Sequence, residues 1–316
     1  MRDHQIYAKV RQLPVGPCKG EIIFGGGVKV VCIFDGGLGN QLFQYAFSYA
    51  LKQHLRDSTI EAVTSLIEKR SPKRVFYLRC LGLEMPECRI DIQRYFGVLW
   101  YRAVCRRIPG LCNFPGIILD SGDWQEDLGR ASAIHGNIWN YGYWQHMRVA
   151  DIARDHLRSQ VSNYTPTTPK AMQLSDQLMR QDTIAVHIRR SDYVSNGKAS
   201  KIHQICTPNY YLAGVERLRS ECPELPLLVF SDDIKWCQAE LGLRGDISFV
   251  DPTIPDIDQF VLLSKCRHFL ISNSTFSWWA AYLNQSDDTI TIAPRYWFRG
   301  VETEETGLYQ PRWYYM

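Results

Sequence analysis

The residues whose types and spacing could do chemistry fall within six positions: His187, Arg189, Arg190 and Asp192. They end a run, Thr183-Ile184-Ala185-Val186, whose apolar, β-branched character predicts a buried strand over 183–189. Adjacent guanidinium groups finish a core strand poorly and hold an anion well, because each planar fork matches phosphate oxygens in pairs. A plainer alternative, two solvated arginines and a salt-bridged aspartate, suits this stretch equally when it is taken alone.

Two further strand ends carry polar groups. Leu227–Phe230 runs into Ser231-Asp232-Asp233. His268–Ser272 runs into Asn273-Ser274-Thr275-Phe276-Ser277-Trp278-Trp279 and then a helix over 276–284. Ser274 or Thr275 suits the cap of that helix, and free N–H groups beside hydroxyls suit a diphosphate without a metal. In a parallel sheet the three ends share one edge, where open α/β folds bind ligands. Each end alone reads as a capped turn, a salt bridge or core tryptophan; together they favour a nucleotide-type site. Asp232-Asp233 is not the Asp-x-Asp expected of a metal bridging a diphosphate. A carboxylate also accepts two hydrogen bonds from a guanine N1–H and amino group, so base recognition is preferred and no metal ligands are expected.

Near the start, Val28–Phe34 predicts a strand, followed by Asp35-Gly36-Gly37-Leu38-Gly39-Asn40-Gln41 and a helix. Leu42, Tyr45, Ala46, Tyr49 and Ala50 share one helix face, and Phe43 and Phe47 make the other apolar, which predicts a buried helix. Asn40 is the expected N-cap. Gly37 and Gly39 would let the backbone approach a ligand. The turn falls short of Gly-x-Gly-x-x-Gly because position 42 is Leu, and a turn required only for packing is the alternative reading. A polar-aromatic run, Asn137–Gln145, offers stacking planes and neutral hydrogen-bond groups that suit carbohydrate, or else forms a packing surface. A helix over 146–160 follows, with Met147, Ala150, Ile152, Ala153 and Leu157 inward.

The elements that must position these groups are set by the whole chain. Its 316 residues allow two domains, and 45% hydrophobic with 22% charged residues is an ordinary globular composition. A net charge of +3 does not point to a polyanionic partner, and no nucleic acid is expected. The ten cysteines form no Cys-x-x-Cys or zinc-like spacing, the first residues lack a signal-peptide core, and no window is apolar enough to span a membrane. These features predict a soluble cytoplasmic protein with free thiols. Residues 1–27 read as a poorly defined leader. Residues 58–135 are the least legible, with short apolar runs alternating with basic clusters such as Lys69-Arg70, Lys73-Arg74 and Arg106-Arg107; the segment Tyr95–Ile118, which mixes Trp100, Tyr101, Phe114 and arginines, could border an acceptor site or a membrane surface, though a solvated face is the commoner meaning. Thr165-Pro166-Thr167-Thr168-Pro169-Lys170 reads as a linker. The expected divisions are 28–165, 166–295 and an aromatic tail, 296–316, packing back on the body. Five strands alternating with helices after the linker predict a parallel α/β sheet.

Gly36-Gly37-Leu38-Gly39-Asn40-Gln41, the His187-x-Arg189-Arg190-x-Asp192-Tyr193 element and Ser272-Asn273-Ser274-Thr275-Phe276-Ser277-Trp278-Trp279 together resemble the bacterial α-1,2-fucosyltransferases of glycosyltransferase family 11. Tyr141-Gly142-Tyr143-Trp144-Gln145 is also similar to theirs, and the likeness runs in order from about Val28 to about residue 295. Ser191 departs from the pattern, where glycine is common. The resemblance implies an α/β fold of the GT-B type, with two Rossmann-like domains facing each other across a cleft, the first binding acceptor and the second GDP-fucose. It implies inverting, metal-independent transfer of fucose to the 2-hydroxyl of a β-galactoside in an oligosaccharide or O-antigen unit, where a lipid-linked acceptor would bring the enzyme to the inner membrane surface. On that scheme Arg189 stabilises the departing β-phosphate. His187 contacts phosphate or orients the arginine, and Arg190 pairs with Asp192 or supports the loop. Asn40 lies near the fucose and β-phosphate. Gly37, Gly39, Asp232, Asp233, Ser272, Asn273, Ser274, Thr275 and Phe276 join the donor site. The base is Asp192, or Asp35, Asp123 or Glu126, or no side chain at all.

Overall fold

The computed structural model describes residues 28–55, 58–65, 67, 75–88, 116–134, 136–190, 206–286 and 288–316. The expectations for residues 1–27, the basic clusters within 69–107, Trp100, Tyr101, Phe114, Ser191, Asp192 and Tyr193 lie outside these. The chain divides into two units, one of residues 1–79 and 83–153, the other of residues 80–82 and 154–316.

In the first unit the described strands β1 (Lys29–Ile33), β2 (Thr59–Val63), β3 (Ile117–Leu119) and β4 (Ile138–Tyr141) form one parallel sheet in the order β2-β1-β4-β3. Helix α1 (Leu38–His54) follows β1 and is buried on nearly every side, as its two apolar faces predict. The expected cap is corrected. Gly37, in extended conformation, is the N-cap residue, and Asn40 lies one turn inside the helix. Gly36, at φ +87, turns the chain early enough for Leu38 to start the helix. Helix α2 (Trp124–Ala131) connects β3 to β4, and Asp123 caps it by accepting from the N–H groups of Gln125 and Glu126.

Helix α3 (Met147–Asn163) contains the division between units, at Ala153 and Arg154. It buries Val149, Ala150, Ala153, Leu157 and Val161, whereas Ile152, expected inward, is 38% exposed. The stretch expected as a linker is instead held within the second unit. Tyr164 Oη, Thr167 N and Thr167 Oγ1 all donate to the buried Asp258 carboxylate, at 2.7–3.1 Å. Thr168 then caps α4 (Pro169–Arg180), with Pro169 in the first turn where its missing N–H costs nothing.

The second unit carries β5 (Ile184–Ile188), α5 (Pro208–Glu221), β6 (Leu227–Ser231), α6 (Ile234–Glu240), β7 (Ile247–Phe249), α7 (Asp256–Ser264), β8 (His268–Leu270), α8 (Thr275–Tyr282), β9 (Thr291–Ala293) and, after a short β10–β11 hairpin (Tyr296–Phe298, Val301–Glu302), β12 (Tyr314–Tyr315). Six strands pair in parallel in the order β12-β9-β8-β5-β6-β7. Counted from β5, that is 3-2-1-4-5-6, the doubly wound order. All five residues of β5 are buried, as a central strand covered by helices on both faces requires. Residues of the tail supply β12 and pack Trp313 against Trp278, whose indole N–H donates to Leu308 O. Trp278 and Trp279 are wholly buried. No helix among the described residues is long and apolar enough to cross a membrane.

Candidate functional site

In the second sheet the strand order reverses between β5 and β8, so the carboxyl ends of these strands flank the crevice such folds use for ligands. Register places Val186 beside Leu270 and His187 beside Phe230. The residues just beyond the three strand ends therefore converge.

His187 and Ser272 meet across the reversal, with Nδ1 and Oγ 2.9 Å apart. The imidazole also stacks near Phe276, centroids 5.6 Å apart. Burial, and then the neighbouring Arg189 charge, push the His187 pKa down to about 3. The ring is thus neutral at physiological pH and works as a hydrogen-bonding brace, with no charge to offer a phosphate.

Arg189 and Arg190 diverge beyond the strand. Arg189 Nη1 lies 3.2 Å from Asp232 Oδ2, and the other oxygen of Asp232 accepts from Arg190 N at 2.9 Å. Arg190 Nε lies 3.6 Å from Asp233 Oδ2, and its guanidinium covers the Trp236 ring at 4.3 Å. Asp233 also caps α6 through Trp236 N. The two carboxylates thus hold two guanidinium groups in place at the mouth of an open pocket lined by Ile188, Arg189, Arg190, Thr207, Tyr211 and Trp236. Arg189 remains 34% exposed on its side chain, accessible to an anion that would share it with Asp232. Guanine recognition by either Asp requires exchanging an arginine or helix-cap contact for the base edge.

At the third strand end Ser274 is the N-cap residue of α8, but its side chain makes no capping hydrogen bond. Ser274 thus leaves the helix N-terminus without a cap from its own side chain, an arrangement that favours an anion. Ser274, Thr275 and Phe276 are half-buried, while Ser272 and Asn273 are buried. Asn273 directs its amide to Trp297 O at 3.0 Å, holding the chain after β9. The structure thus brings His187, Arg189, Arg190, Asp232, Asp233, Ser272 and Phe276 together, with Ser274 and Thr275 at the adjoining helix end. Asp192 lies outside the described residues.

Gly37, Gly39 and Asn40 lie in the first unit, at the carboxyl end of β1. The strand order of that sheet reverses between β1 and β4. Here the polar groups are mainly amides. Buried Gln41 donates to Gly36 O and Val75 O and accepts from Tyr77 N, and buried Gln44 accepts from Asp35 N and donates to Gly142 O. Asn40 Oδ1 accepts from Gln145 Nε2 at 3.0 Å. A Cβ on Gly37 would meet nothing, whereas one on Gly36 would strike Asn40 Nδ2 at 2.6 Å. Gly36, not singled out from the sequence, is therefore the glycine the turn needs; its place directly after Asp35 was the available signal. Of the alternative bases, Asp123 is occupied as a helix cap and Asp35 is buried, with Tyr141 Oη 3.5 Å from its Oδ2.

Residues 123–316 match the family model described as glycosyl transferase family 11. The chain is 33% identical over 296 residues to an alpha-1,2-colitosyltransferase of Escherichia coli, covering 89% of this chain and 96% of that protein. It is 29% identical over 288 residues to the O-antigen biosynthesis glycosyltransferase WbnK of Escherichia coli, covering 84% and 94%. It is 26% identical over 267 residues to galactoside alpha-(1,2)-fucosyltransferase 2 of Hylobates lar, covering 82% and 69%.

Proposed function

We infer that this chain, which belongs to glycosyl transferase family 11, transfers L-fucose from GDP-β-L-fucose to the 2-hydroxyl of a β-galactoside in an oligosaccharide or O-antigen unit. The observation that carries the reading is the second unit's strand-reversal edge, where two braced arginines stand beside a helix N-terminus that the Ser274 side chain does not cap. The fucosyl assignment draws on relatives named for α-1,2 transfer and O-antigen synthesis.

On this reading the acceptor oxygen attacks fucose C1, the bond from C1 to the β-phosphate oxygen breaks, and the configuration inverts. Negative charge grows on the departing GDP. Arg189, held by Asp232, meets that charge more strongly in the transition state than in the ground state. Arg190, Ser274, Thr275 and the α8 N-terminus take the remaining phosphate oxygens, with Ser272 bracing His187 behind them. Two guanidinium groups replace a divalent metal. The hydroxyl proton passes to a base, for which Asp192 is the nominee. Gly37, Gly39 and Asn40 carry the first unit's share of sugar recognition. A lipid-linked acceptor would bring the enzyme to the cytoplasmic face of the inner membrane.

Colitosyl transfer is the second reading, favoured by the relative at 33% identity. The test is product mass from GDP-fucose and a panel of β-galactosides with EDTA present. Addition of one fucose to a 2-hydroxyl is expected. Transfer only from activated colitose would install the second reading, loss in EDTA with rescue by Mg²⁺ or Mn²⁺ would restore a metal, and GDP binding without turnover would leave a binding module.

A further inference from the structure

Trp144 is the single non-glycine with positive φ among the described residues, at +43, and it is buried. A bulky residue holds that conformation only where its surroundings impose it. Its indole lies flat on Phe47 of α1, centroids 4.1 Å apart and planes within 4°. Two carboxylates supply the rest. Asp120 Oδ2 accepts from Tyr143 N and Trp144 N at 3.1 and 2.8 Å. Asp127 Oδ2 accepts from Trp144 Nε1 and Ser121 N, both at 3.1 Å. The turns that follow the paired strands β3 and β4 are thereby tied together. Their approach is so close that a Cβ on Gly142 would lie 2.1 Å from Asp120 Cβ.

We propose that Asp127 is a positioning residue for acceptor recognition, acting with Asp120 through Trp144 to set where Tyr143 and Gln145 stand. Gln145 follows Trp144 directly and donates to Asn40, so the strained turn joins the β4 end to the β1 turn. Asp127 itself is wholly buried on α2 and touches no open surface; besides its two N–H donors it faces the Ser121 hydroxyl, the Asp120 carboxylate and Arg130, 3.6 Å away and one helical turn on. A buried carboxylate is costly to keep where a neutral side chain would pack. Burial pushes its pKa up to about 6, overriding the Ser121 and Trp144 hydrogen bonds that pull it down. Its position is better explained by the indole it aims than by packing.

This inference rests on the proposed function, and the experiment separates the two. Trp144→Phe keeps the ring on Phe47 and removes the N–H, Asp127→Leu removes the acceptor, and Asp127→Asn retains one oxygen for both donors. Trp144→Phe and Asp127→Leu should raise acceptor KM about tenfold while GDP affinity stays within about twofold, and Asp127→Asn should return acceptor KM to within about threefold of wild type. Unchanged acceptor KM, or GDP affinity falling in step with it, would overturn the proposal, as would Asp127→Asn behaving like Asp127→Leu. Should Asp127→Leu not fold, Trp144→Phe decides. Methyl β-galactoside titration followed by indole ¹⁵N NMR reads the same effect without turnover. Wild type that binds no galactoside overturns the proposal, whereas wild type that binds galactoside but transfers no fucose overturns only the functional reading.

Discussion

Both parallel sheets have a strand-order reversal among their described strands, β5 beside β8 and β1 beside β4, and the two are furnished with different chemistry. Between β5 and β8 the groups are charged and partly exposed: two arginines, two aspartates, hydroxyls and a helix end. Between β1 and β4 they are mainly buried amides beside the buried Asp35, with Gln41 and Gln44 bonded to backbone groups as though they were backbone themselves. Charged groups left in reach of water can exchange partners, so the first arrangement suits an anion that comes and goes. Neutral amides with their donors and acceptors already paired make a stiff frame for presenting side chains to neutral hydroxyls.

The strongest way to break this contrast is at Arg189. Arg189→Ala should lower kcat/KM by about 10²–10³, the loss typical of one oxyanion stabiliser. Arg189→Lys should recover little, because a point charge does not replace a bidentate fork. Steady-state kinetics check both, and near-normal values would remove the charged edge from catalysis.

The counterpart in the amide frame is Gln44→Ala. It strands Asp35 N and Gly142 O, at about 1–3 kcal/mol for each buried unpaired group, so urea unfolding should register a large loss of stability. GDP affinity should hold under the proposal that the second unit's charged edge binds the diphosphate. A fall in GDP affinity with no change in stability would reverse the contrast.

The smallest effect sharpens the comparison through pH. His187 has a folded pKa depressed from 6.5 to about 3, so the unfolded chain binds the extra proton and stability rises with pH across that window. Asp127 has a folded pKa raised from 3.8 to about 6, so the folded chain binds the extra proton and stability falls with pH between those values. From pH 4 to 6 the two slopes, each up to about 1.4 kcal/mol per pH unit, oppose one another. Relative to wild type, Asp127→Asn should therefore gain stability as pH rises through this range, and His187→Asn should lose it. Unfolding free energies at pH 4, 5 and 6 check the signs, and equal slopes in both variants would deny that the edges are oppositely linked to protons.

Much of the second unit was legible in the sequence because strands such as β5, β6 and β8 are short, largely apolar and run into polar ends. Strand 183–189 is observed as Ile184–Ile188, and the helix expected over 256–264 as Asp256–Ser264. The first unit was less so. β2 is a five-residue strand with a charged centre, Thr-Ile-Glu-Ala-Val, and β3 has three residues, too few for periodicity to register. α4 was hidden behind a Thr-Pro cluster that resembles a linker and is in fact a helix cap tied to Asp258. Asn40 resembles an N-cap in type, yet the positive φ of Gly36 starts the helix before it.

By itself the sequence determined that the chain is α/β, that His187, Arg189, Asp232 and Ser272 sit at strand ends, and that their types suit a phosphate. Those conclusions depend on local pattern, and local pattern survives without coordinates. Tertiary structure alone decided which group each one faces. Arg189 and Arg190 find Asp232 and Asp233, far along the chain, because β5 and β6 are neighbours, and His187 finds Ser272 because β8 lies on the other side. It also decided that Asp127 serves a strained tryptophan, a role invisible in the sequence because pairing between strands, not order along the chain, brings the two together.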